Sequence, residues 1–454
     1  MHTDTATWLE IQPITAQKQT SSSTKLSISC GRDKSLTHRA IIFAAMAKGT
    51  STIHAPLLGQ DCRSTMSCFR ELGVDTKLDG SKLTVSSQGF GAWHNPRQPL
   101  DCGNSGTTAR LLSGLFAALP DLTVTLIGDE SLSKRPMRRV VDPLKALGAK
   151  IEGPENAEFL PLTIHGRRLS VDASPQPIII DKASAQIKSA LLLAATQMQG
   201  KISVQLPAGA RDHTEIMLRR FGGRCVSETE GGIERIHFQG PWQGEAFTCR
   251  VPVDPSSAAF FAVLGLLQSQ GELRLPEVLA NPTRIGFFKV LERMSQNITL
   301  QDEADDGRQF LEPTSLISVK ADPKLRATTI QADEVPTLVD EIPILAVAAA
   351  FAEGRSSFYG LSELRVKESD RLTKTAELLT LAGAKVQIDG DDLHIDGGLQ
   401  AASGFSYDPV GDHRLAMAAA VLAKRSKTTC RIKNPDCADV SFPGFFEQLA
   451  RVTA

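Results

Sequence analysis

Gly103-Asn104-Ser105-Gly106-Thr107-Thr108-Ala109-Arg110 opens a long apolar segment of this 454-residue chain. Two glycines let the backbone turn sharply and approach a ligand closely, and the Ser/Thr run that follows is what a helix start looks like. The helix expected from Thr107 to Leu119 is apolar nearly all round, with Leu111, Leu112, Leu115, Phe116, Ala117 and Ala118, so it reads as buried. A buried helix whose first turn is Gly/Ser/Thr, with Arg110 just inside, offers free N–H groups and the positive end of a dipole to an anion. A single such stretch is equally well read as a capped core helix after a tight turn. Recurrence of the pattern decides in favour of the anion.

The same order of elements returns about six times. A Gly/Ser/Asp-rich turn opens an Ala/Leu-rich helix; a strand, an amphipathic helix, a Leu-Gly-like turn and a strand pair follow. The buried-type helices are expected at Ser35–Ala47, Thr107–Leu119, Ala185–Met198, Ser256–Gln268, Glu341–Ala352 and Asp412–Lys424. The amphipathic helices end at Gly73, Gly148, Gly222, Ser295 and Gly383, about 75 residues apart with a longer last interval. Lys385–Ile395, with Gly390 inside, reads as one of the hairpins. The sixth copy runs out at the C-terminus. Six βαβαββ units point to an α/β fold of two domains with three copies each, apolar helices inside. Helix N-termini converging in each domain would give a cleft suited to small polyanions.

Bulk composition agrees with a two-domain globular protein. Lys and Arg total 50 against 51 Asp and Glu, a net charge of −1, so nothing points to a nucleic-acid partner and anion binding must come from local placement of cations. The eight cysteines include no C-x-x-C pair, which fits free thiols in a reducing cytoplasm. Neither a secretory leader nor a membrane span is expected: the longest apolar run, Ile342–Ala352, is too short and contains Pro343. Trp8–Ile14 is an apolar cluster in a polar lead-in, and the Gln/Thr/Ser run at 17–24 reads as a loop.

The starts of the buried helices carry an unusual density of functional types. They offer Asp33-Lys34-Ser35 with Arg39, Asn104 to Arg110, Ser184-Ala185-Gln186 with Lys188, Asp254-Pro255-Ser256-Ser257, Asp340-Glu341 and Asp412-His413-Arg414. Loops add Lys134-Arg135-Pro136, Arg211-Asp212-His213 and Arg365 to Arg371. Guanidinium forks match carboxylates and phosphates, and lysine supplies a compact charge. Taken singly each has an ordinary reading, as a solvated face, an i,i+4 ion pair or a helix cap. Their co-occurrence at the same point of successive repeats favours function, and no set has metal-site spacing.

In order along the chain, Gly103–Arg110, Lys134-Arg135-Pro136-Met137, Ser184-Ala185-Gln186-Ile187-Lys188, Asp254-Pro255-Ser256-Ser257, Asn281-Pro282-Thr283-Arg284, Leu364–Arg371 and Asp412-His413-Arg414 resemble the EPSP synthase family, the 3-phosphoshikimate 1-carboxyvinyltransferases. The resemblance implies two inside-out α/β barrel domains of three repeats each, with the active site in the cleft between them. One domain would be residues 33–251, inserted into a second made of 1–32 and 252–454. The implied reaction moves the carboxyvinyl group of phosphoenolpyruvate to the 5-hydroxyl of shikimate 3-phosphate and releases phosphate, by addition then elimination, with no metal or organic cofactor. By position in the motifs, Lys34, Gly106, Thr107, Arg135, Gln186, Arg371 and Arg414 would bind phosphoenolpyruvate. Lys34, Ser35, Arg39, Ser184, Ala185, Gln186, Arg211, Asp340 and Lys367 would bind shikimate 3-phosphate. Lys34, Asp340, Lys367 and Glu368 would be catalytic: Asp340 and Lys367 at the hydroxyl proton, Glu368 protonating the methylene carbon. The family further implies a cytoplasmic monomer with two small-molecule substrates, no nucleic-acid or membrane partner, and a pocket at Gly106 that admits glyphosate.

This chain departs from the family pattern at three places. Gly31-Arg32 and Pro252-Val253 replace the usual Pro-Gly at both expected crossovers, and Arg32 adds a charge there. Val440 stands where some relatives carry a phosphoenolpyruvate-contacting lysine. Two competing readings are the sister enzyme acting on a UDP-sugar, whose loop before Arg-Pro carries a cysteine absent from Asp129–Lys134, and a metabolite-binding descendant without turnover.

Overall fold

The computed structural model describes residues 6–14, 25–169, 176–268, 271–304, 307–399, 403–426 and 428–453, so the run at 17–24 lies outside them. The chain forms two compact units. An inserted unit comprises Asp33–Val251 and Asp306–Leu311, and a flanking unit comprises Met1–Arg32, Pro252–Asp305 and Glu312–Ala454.

Within the inserted unit one order of elements recurs three times. The second copy is strand Leu100–Asp101, helix Gly106–Ala117, strand Thr123–Ile127, helix Arg138–Ala146 and strands Lys150–Glu152 and Leu162–His165. The third runs from Ile178–Ile179 through helices Ala185–Ala195 and His213–Arg220 to Ile233–Gly240. Each copy makes its own four-stranded mixed sheet, in which the short leading strand pairs in parallel and the other pairings are antiparallel. The first copy, with helices Lys34–Met46 and Gln60–Glu71, lacks a leading strand of its own; Thr248–Arg250, at the far end of the unit, pairs in parallel with Lys48–His54 and fills the place.

The flanking unit repeats the order. Lys25–Ser27 pairs in parallel with Glu272–Leu279, which follows helix Pro255–Leu267; the next copies carry helices Ile342–Phe351 and His413–Arg425. The expected hairpin forms as Lys385–Asp389 against Asp392–Asp396. In the copy that runs out at the C-terminus, Trp8–Ile11 pairs antiparallel with Cys430–Lys433. The apolar cluster in the polar lead-in therefore adds an edge strand to the sixth repeat's sheet, which has three strands among the described residues, a pairing across the whole chain that no local pattern announces.

The bounds implied by the family resemblance place residues 307–311 with the rest of 252–454, whereas they belong to the inserted unit. The Arg250 N–H donates to the Gln309 carbonyl at 3.0 Å, the Leu311 N–H donates to the Arg250 carbonyl at 3.1 Å, and the Arg250 and Arg308 guanidiniums lie over the Phe310 ring.

The six apolar helices fall within a residue or two of their expected positions, except that the third stops at Ala195. There Thr196 turns its hydroxyl back onto the Leu193 carbonyl at 2.6 Å and the helix is not continued. Asp33, Ser105, Ser184, Asp254 and Asp412 cap five of the six, each side chain accepting a backbone N–H two or three residues on. All thirteen residues of Pro255–Leu267 are buried. Gly114 permits a close helix contact: a Cβ there would lie 2.1 Å from the Ala190 carbonyl oxygen, so the Gly106–Ala117 and Ala185–Ala195 helices approach backbone to backbone.

Candidate active site

In the inserted unit the candidate residues gather at the starts of its three buried helices. Asp33 caps the first through the Leu36 N–H at 2.7 Å, which leaves Lys34 at the opening turn. The Lys34 ammonium pairs with Asp61 at 3.0 Å. Asp61 is a member of the site that sequence reasoning misses, because an acid in the first turn of a helix is too ordinary to signal anything. Arg39 is buried, and its guanidinium donates to Thr214 Oγ1 at 2.7 Å, Ser189 Oγ at 2.8 Å and the Ser35 carbonyl at 3.1 Å.

At the second helix Ser105 accepts the Thr108 N–H at 3.1 Å, and Gly106 and Thr107 form the turn. Arg110 Nη1 donates to Gln186 Oε1 at 3.0 Å, and the Gln186 amide donates to Thr107 Oγ1 at 3.1 Å. Arg110 therefore fixes which way the Gln186 amide points, a role its place in the motif does not reveal. Its Nη2 reaches the Pro136 carbonyl at 3.3 Å, while Arg135 donates to Asn104 Oδ1 at 2.7 Å, so the Arg135 loop is tied twice to the Asn104–Arg110 turn. Ser184 caps the third helix through the Ile187 N–H at 3.4 Å, with Ala185 and Gln186 half-buried in its first turn and Arg211 half-buried ahead of helix His213–Arg220.

Lys188, grouped by the sequence with these cations, does not join them. It is fully buried, 2.6 Å from Glu215 and 3.1 Å from Glu234, and donates to the Ala210 carbonyl at 3.2 Å. Four positions past its cap it has turned into the core, where it is a structural ion pair. Burial, the largest influence, pushes the Glu234 carboxyl above its usual range despite the neighbouring lysine.

The flanking unit gathers Asp340, Lys367, Glu368, Arg371 and Arg414 into one cluster. Arg371 is 1% exposed. Its three nitrogens donate separately: Nε to Asp412 at 2.7 Å, Nη1 to Asp340 at 3.1 Å and Nη2 to Glu368 at 2.5 Å. Asp340 also lies 3.6 Å from Arg414 and 3.9 Å from Lys367, whose ammonium is held at 2.7 Å by Glu363. Burial alone would lower the proton affinity of Arg371, but Glu368, Asp412 and Asp340 outweigh it and hold the pKa above the ordinary arginine value. Three cations thus share four carboxylates, and an anion that engages Arg371 competes with the carboxylates already bonded to it.

A family profile described as EPSP synthase (3-phosphoshikimate 1-carboxyvinyltransferase) matches residues 18–449. The chain belongs to the EPSP synthase family. A 3-phosphoshikimate 1-carboxyvinyltransferase of Gloeobacter violaceus is 43% identical over 428 residues, 94% of this chain and 96% of that one. One of Brevibacillus brevis is 40% identical over 93% of this chain and 96% of that one. The solved EPSP synthase of Acinetobacter baumannii superposes with a TM-score of 0.84 at 34% identity, covering 98% of both chains. NikO, an enolpyruvyl transferase of Streptomyces tendae, has a TM-score of 0.73 over 98% of this chain and 97% of its own at 17% identity, a likeness of fold alone.

The departures from the EPSP synthase pattern have local accounts in the flanking unit. Arg32 pairs with Glu277 at 2.5 Å, and the Glu277 N–H in turn donates to Glu303 at 2.7 Å, so the added charge is neutralised where it stands. Gly31 has no room for a side chain, since a Cβ would meet Ser257 Oγ at 2.9 Å and the Ser441 carbonyl at 3.0 Å. Val253 joins the backbone ladder, donating to the Glu277 carbonyl at 2.8 Å and accepting the Leu279 N–H at 3.0 Å. Val440 ends the turn Pro435–Val440, half-buried.

Proposed function

We propose that this protein transfers the carboxyvinyl group of phosphoenolpyruvate to the 5-hydroxyl of shikimate 3-phosphate, releasing phosphate. The observation that carries the reading is the cluster in which Asp340 faces Lys367, Arg371 and Arg414 while Arg371 also holds Glu368. The addition needs a base for a hydroxyl and an acid for an alkene carbon within reach of one substrate pair. Asp340 takes the hydroxyl proton, with the Lys367 ammonium beside it to stabilise the oxygen as it is deprotonated. Glu368 delivers a proton to the methylene carbon: when the carboxylate of phosphoenolpyruvate engages Arg371, it weakens that guanidinium's hold on Glu368 and adds a negative neighbour, both of which favour a protonated Glu368. The Glu368 carboxylate then takes a proton back from the methyl group of the tetrahedral adduct as phosphate leaves, and the carbon–carbon double bond forms as the enol ether of the product.

The anions themselves fall to the helix starts. Lys34, Gly106, Thr107, Arg135, Gln186, Arg371 and Arg414 hold phosphoenolpyruvate; Lys34, Ser35, Arg39, Ser184, Ala185, Gln186 and Arg211 hold shikimate 3-phosphate, with Asp340 and Lys367 at its 5-hydroxyl. The proposal includes the two inside-out α/β barrels the family resemblance implies, both units serving one reaction in a cytoplasmic enzyme that works as a monomer.

The test is phosphate release from purified protein with each substrate omitted in turn. Release requiring both phosphoenolpyruvate and shikimate 3-phosphate is the expected result. Release with UDP-N-acetylglucosamine in place of shikimate 3-phosphate, or tight binding of both substrates without turnover, overturns it.

A further inference from the structure

Four fully buried polar side chains of the inserted unit take no part in the proposed chemistry and yet are joined end to end. His38 Nδ1 lies 2.7 Å from Thr65 Oγ1, Thr65 Oγ1 lies 2.7 Å from Thr108 Oγ1, and Thr108 Oγ1 donates to Ser105 Oγ at 2.7 Å. They come from three elements: helix Lys34–Met46, helix Gln60–Glu71 and the capped start of helix Gly106–Ala117. The middle helix also brings Asp61 to Lys34, and its Asp61 carbonyl accepts from Thr108 Oγ1 at 3.5 Å.

Burying four polar groups costs free energy that leucine or alanine, used at neighbouring positions, would not cost. Apolar packing would hold the three helices together, but it would leave their rotation and axial register loosely set. A continuous line of short hydrogen bonds fixes both. One end of the line is the Ser105 hydroxyl that shapes the Gly106–Thr107 turn; the other stands one turn into the helix that presents Lys34.

We propose that the His38–Thr65–Thr108–Ser105 line is a positioning device that holds the Gly106–Thr107 turn and Lys34 in fixed register, so that both engage one anionic substrate. The inference rests on the function proposed above.

Proton counting gives the line a direction. Each hydroxyl has one proton to donate. Thr108 uses its proton on Ser105 at 2.7 Å, with the Asp61 carbonyl only a distant second acceptor at 3.5 Å, so it accepts from Thr65; Thr65 has then used its own and accepts from His38 Nδ1–H. The imidazole is accordingly the Nδ1–H tautomer, and Nε2 is left as a bare lone pair. Independently, His38 Nε2 is buried with no partner among the described residues, which is tolerable for a lone pair and costly for an N–H. Burial, foremost, drives the His38 pKa down to about 3; Asp61 and Asp33 oppose this, while Lys34 and Arg39 reinforce it, so the ring is neutral.

Two measurements on the full chain decide the matter. Nitrogen-15 NMR of histidine-labelled protein, with His38 assigned by difference from His38→Asn, should give the Nδ1–H tautomer unchanged between about pH 5 and 8; an Nε2–H tautomer, or titration in that range, overturns the line. Thr65→Val keeps the shape and removes the hydroxyl. It should raise KM for phosphoenolpyruvate about tenfold, the size of one lost hydrogen bond, with kcat little changed, and Thr65→Ser should restore KM. A wild-type KM in Thr65→Val, or equal impairment in Thr65→Ser, refutes the positioning role. If Thr65→Val does not fold, the tautomer measurement on unmutated protein still supports or overturns the line. Absence of turnover in the unmutated protein would defeat the assigned reaction while leaving the tautomer result to judge the line.

Discussion

Gly106→Ala is the sharpest probe of the proposed phosphoenolpyruvate contacts. Gly106 is the first residue of its helix, outside the left-handed region, so alanine is compatible with its backbone and the fold should lose nothing. The added Cβ would stand 2.7 Å from Arg110 Nη1, where ordinary contact begins near 3.4 Å. The guanidinium is the end of a flexible side chain and can retreat by the missing distance. A retreat of that size away from Gln186 would take its 3.0 Å bond to Gln186 out of hydrogen-bond range. A hydrogen bond to a charged group contributes about 1.5–3 kcal/mol, so KM for phosphoenolpyruvate should rise by roughly 10- to 150-fold. Inhibition by glyphosate should weaken in parallel.

The assay is steady-state phosphate release at saturating shikimate 3-phosphate for Gly106→Ala, Gln186→Ala and the double variant, with thermal unfolding of each. Because the methyl group acts through Arg110 on Gln186, the double variant should be little worse than Gln186→Ala alone. Additive effects would mean that Gly106 and Gln186 meet the ligand independently. An unchanged KM, or a loss of stability without a change in KM, would refute the steric chain altogether.

Other expectations follow from the buried charges. Lys188→Met should destabilise the protein by about 3–5 kcal/mol in denaturant unfolding, since it strands Glu215 and Glu234, and Lys188→Met with Glu215→Gln should recover part of the loss; no change in midpoint would contradict the buried pair. Lys367→Ala should lower kcat by about 100-fold or more while shikimate 3-phosphate affinity changes far less, and a pure binding defect would remove its catalytic role. The depressed pKa of His38 means that the unfolded chain takes up a proton the folded chain refuses between pH 6.5 and about 3. Its stabilising effect is whole above pH 6.5 and is lost as pH falls, at up to about 1.4 kcal/mol per pH unit. His38→Asn should flatten the acid limb of the stability profile by that slope, and an unchanged limb would show that His38 is protonated in the fold.

How far the sequence can be read depends on the range over which each residue acts. Helix and hairpin positions are legible because their signals are local: Asp33, Ser105, Ser184, Asp254 and Asp412 stand directly before the segments they cap, and Gly390 sits inside the hairpin it turns. The strand Trp8–Ile11 is visible as an apolar cluster but not as the missing edge of the last repeat, since its partner lies more than 400 residues away. Lys188 misleads because motif membership says which residues recur together, not which way a side chain points four positions past a cap.

The cation-rich motifs mark the proposed anion contacts but hide the counter-charges that would make binding conditional. Asp61, Glu363 and Asp412 each hold a cation that the sequence assigns to a substrate. A cluster of three cations with four carboxylates has no net positive pull of its own; what it offers is exchange. An incoming carboxylate at Arg371 competes directly with Glu368, at 2.5 Å, and the displaced side chain gains a negative neighbour as it loses a positive one. In the proposed mechanism, substrate binding at Arg371 thereby favours protonation of Glu368. Replacing Glu368 with Gln, which removes the charge but keeps the shape, should on this argument tighten phosphoenolpyruvate binding while abolishing turnover. Weaker binding in Glu368→Gln would mean that Glu368 supports the cation cluster rather than competing for it.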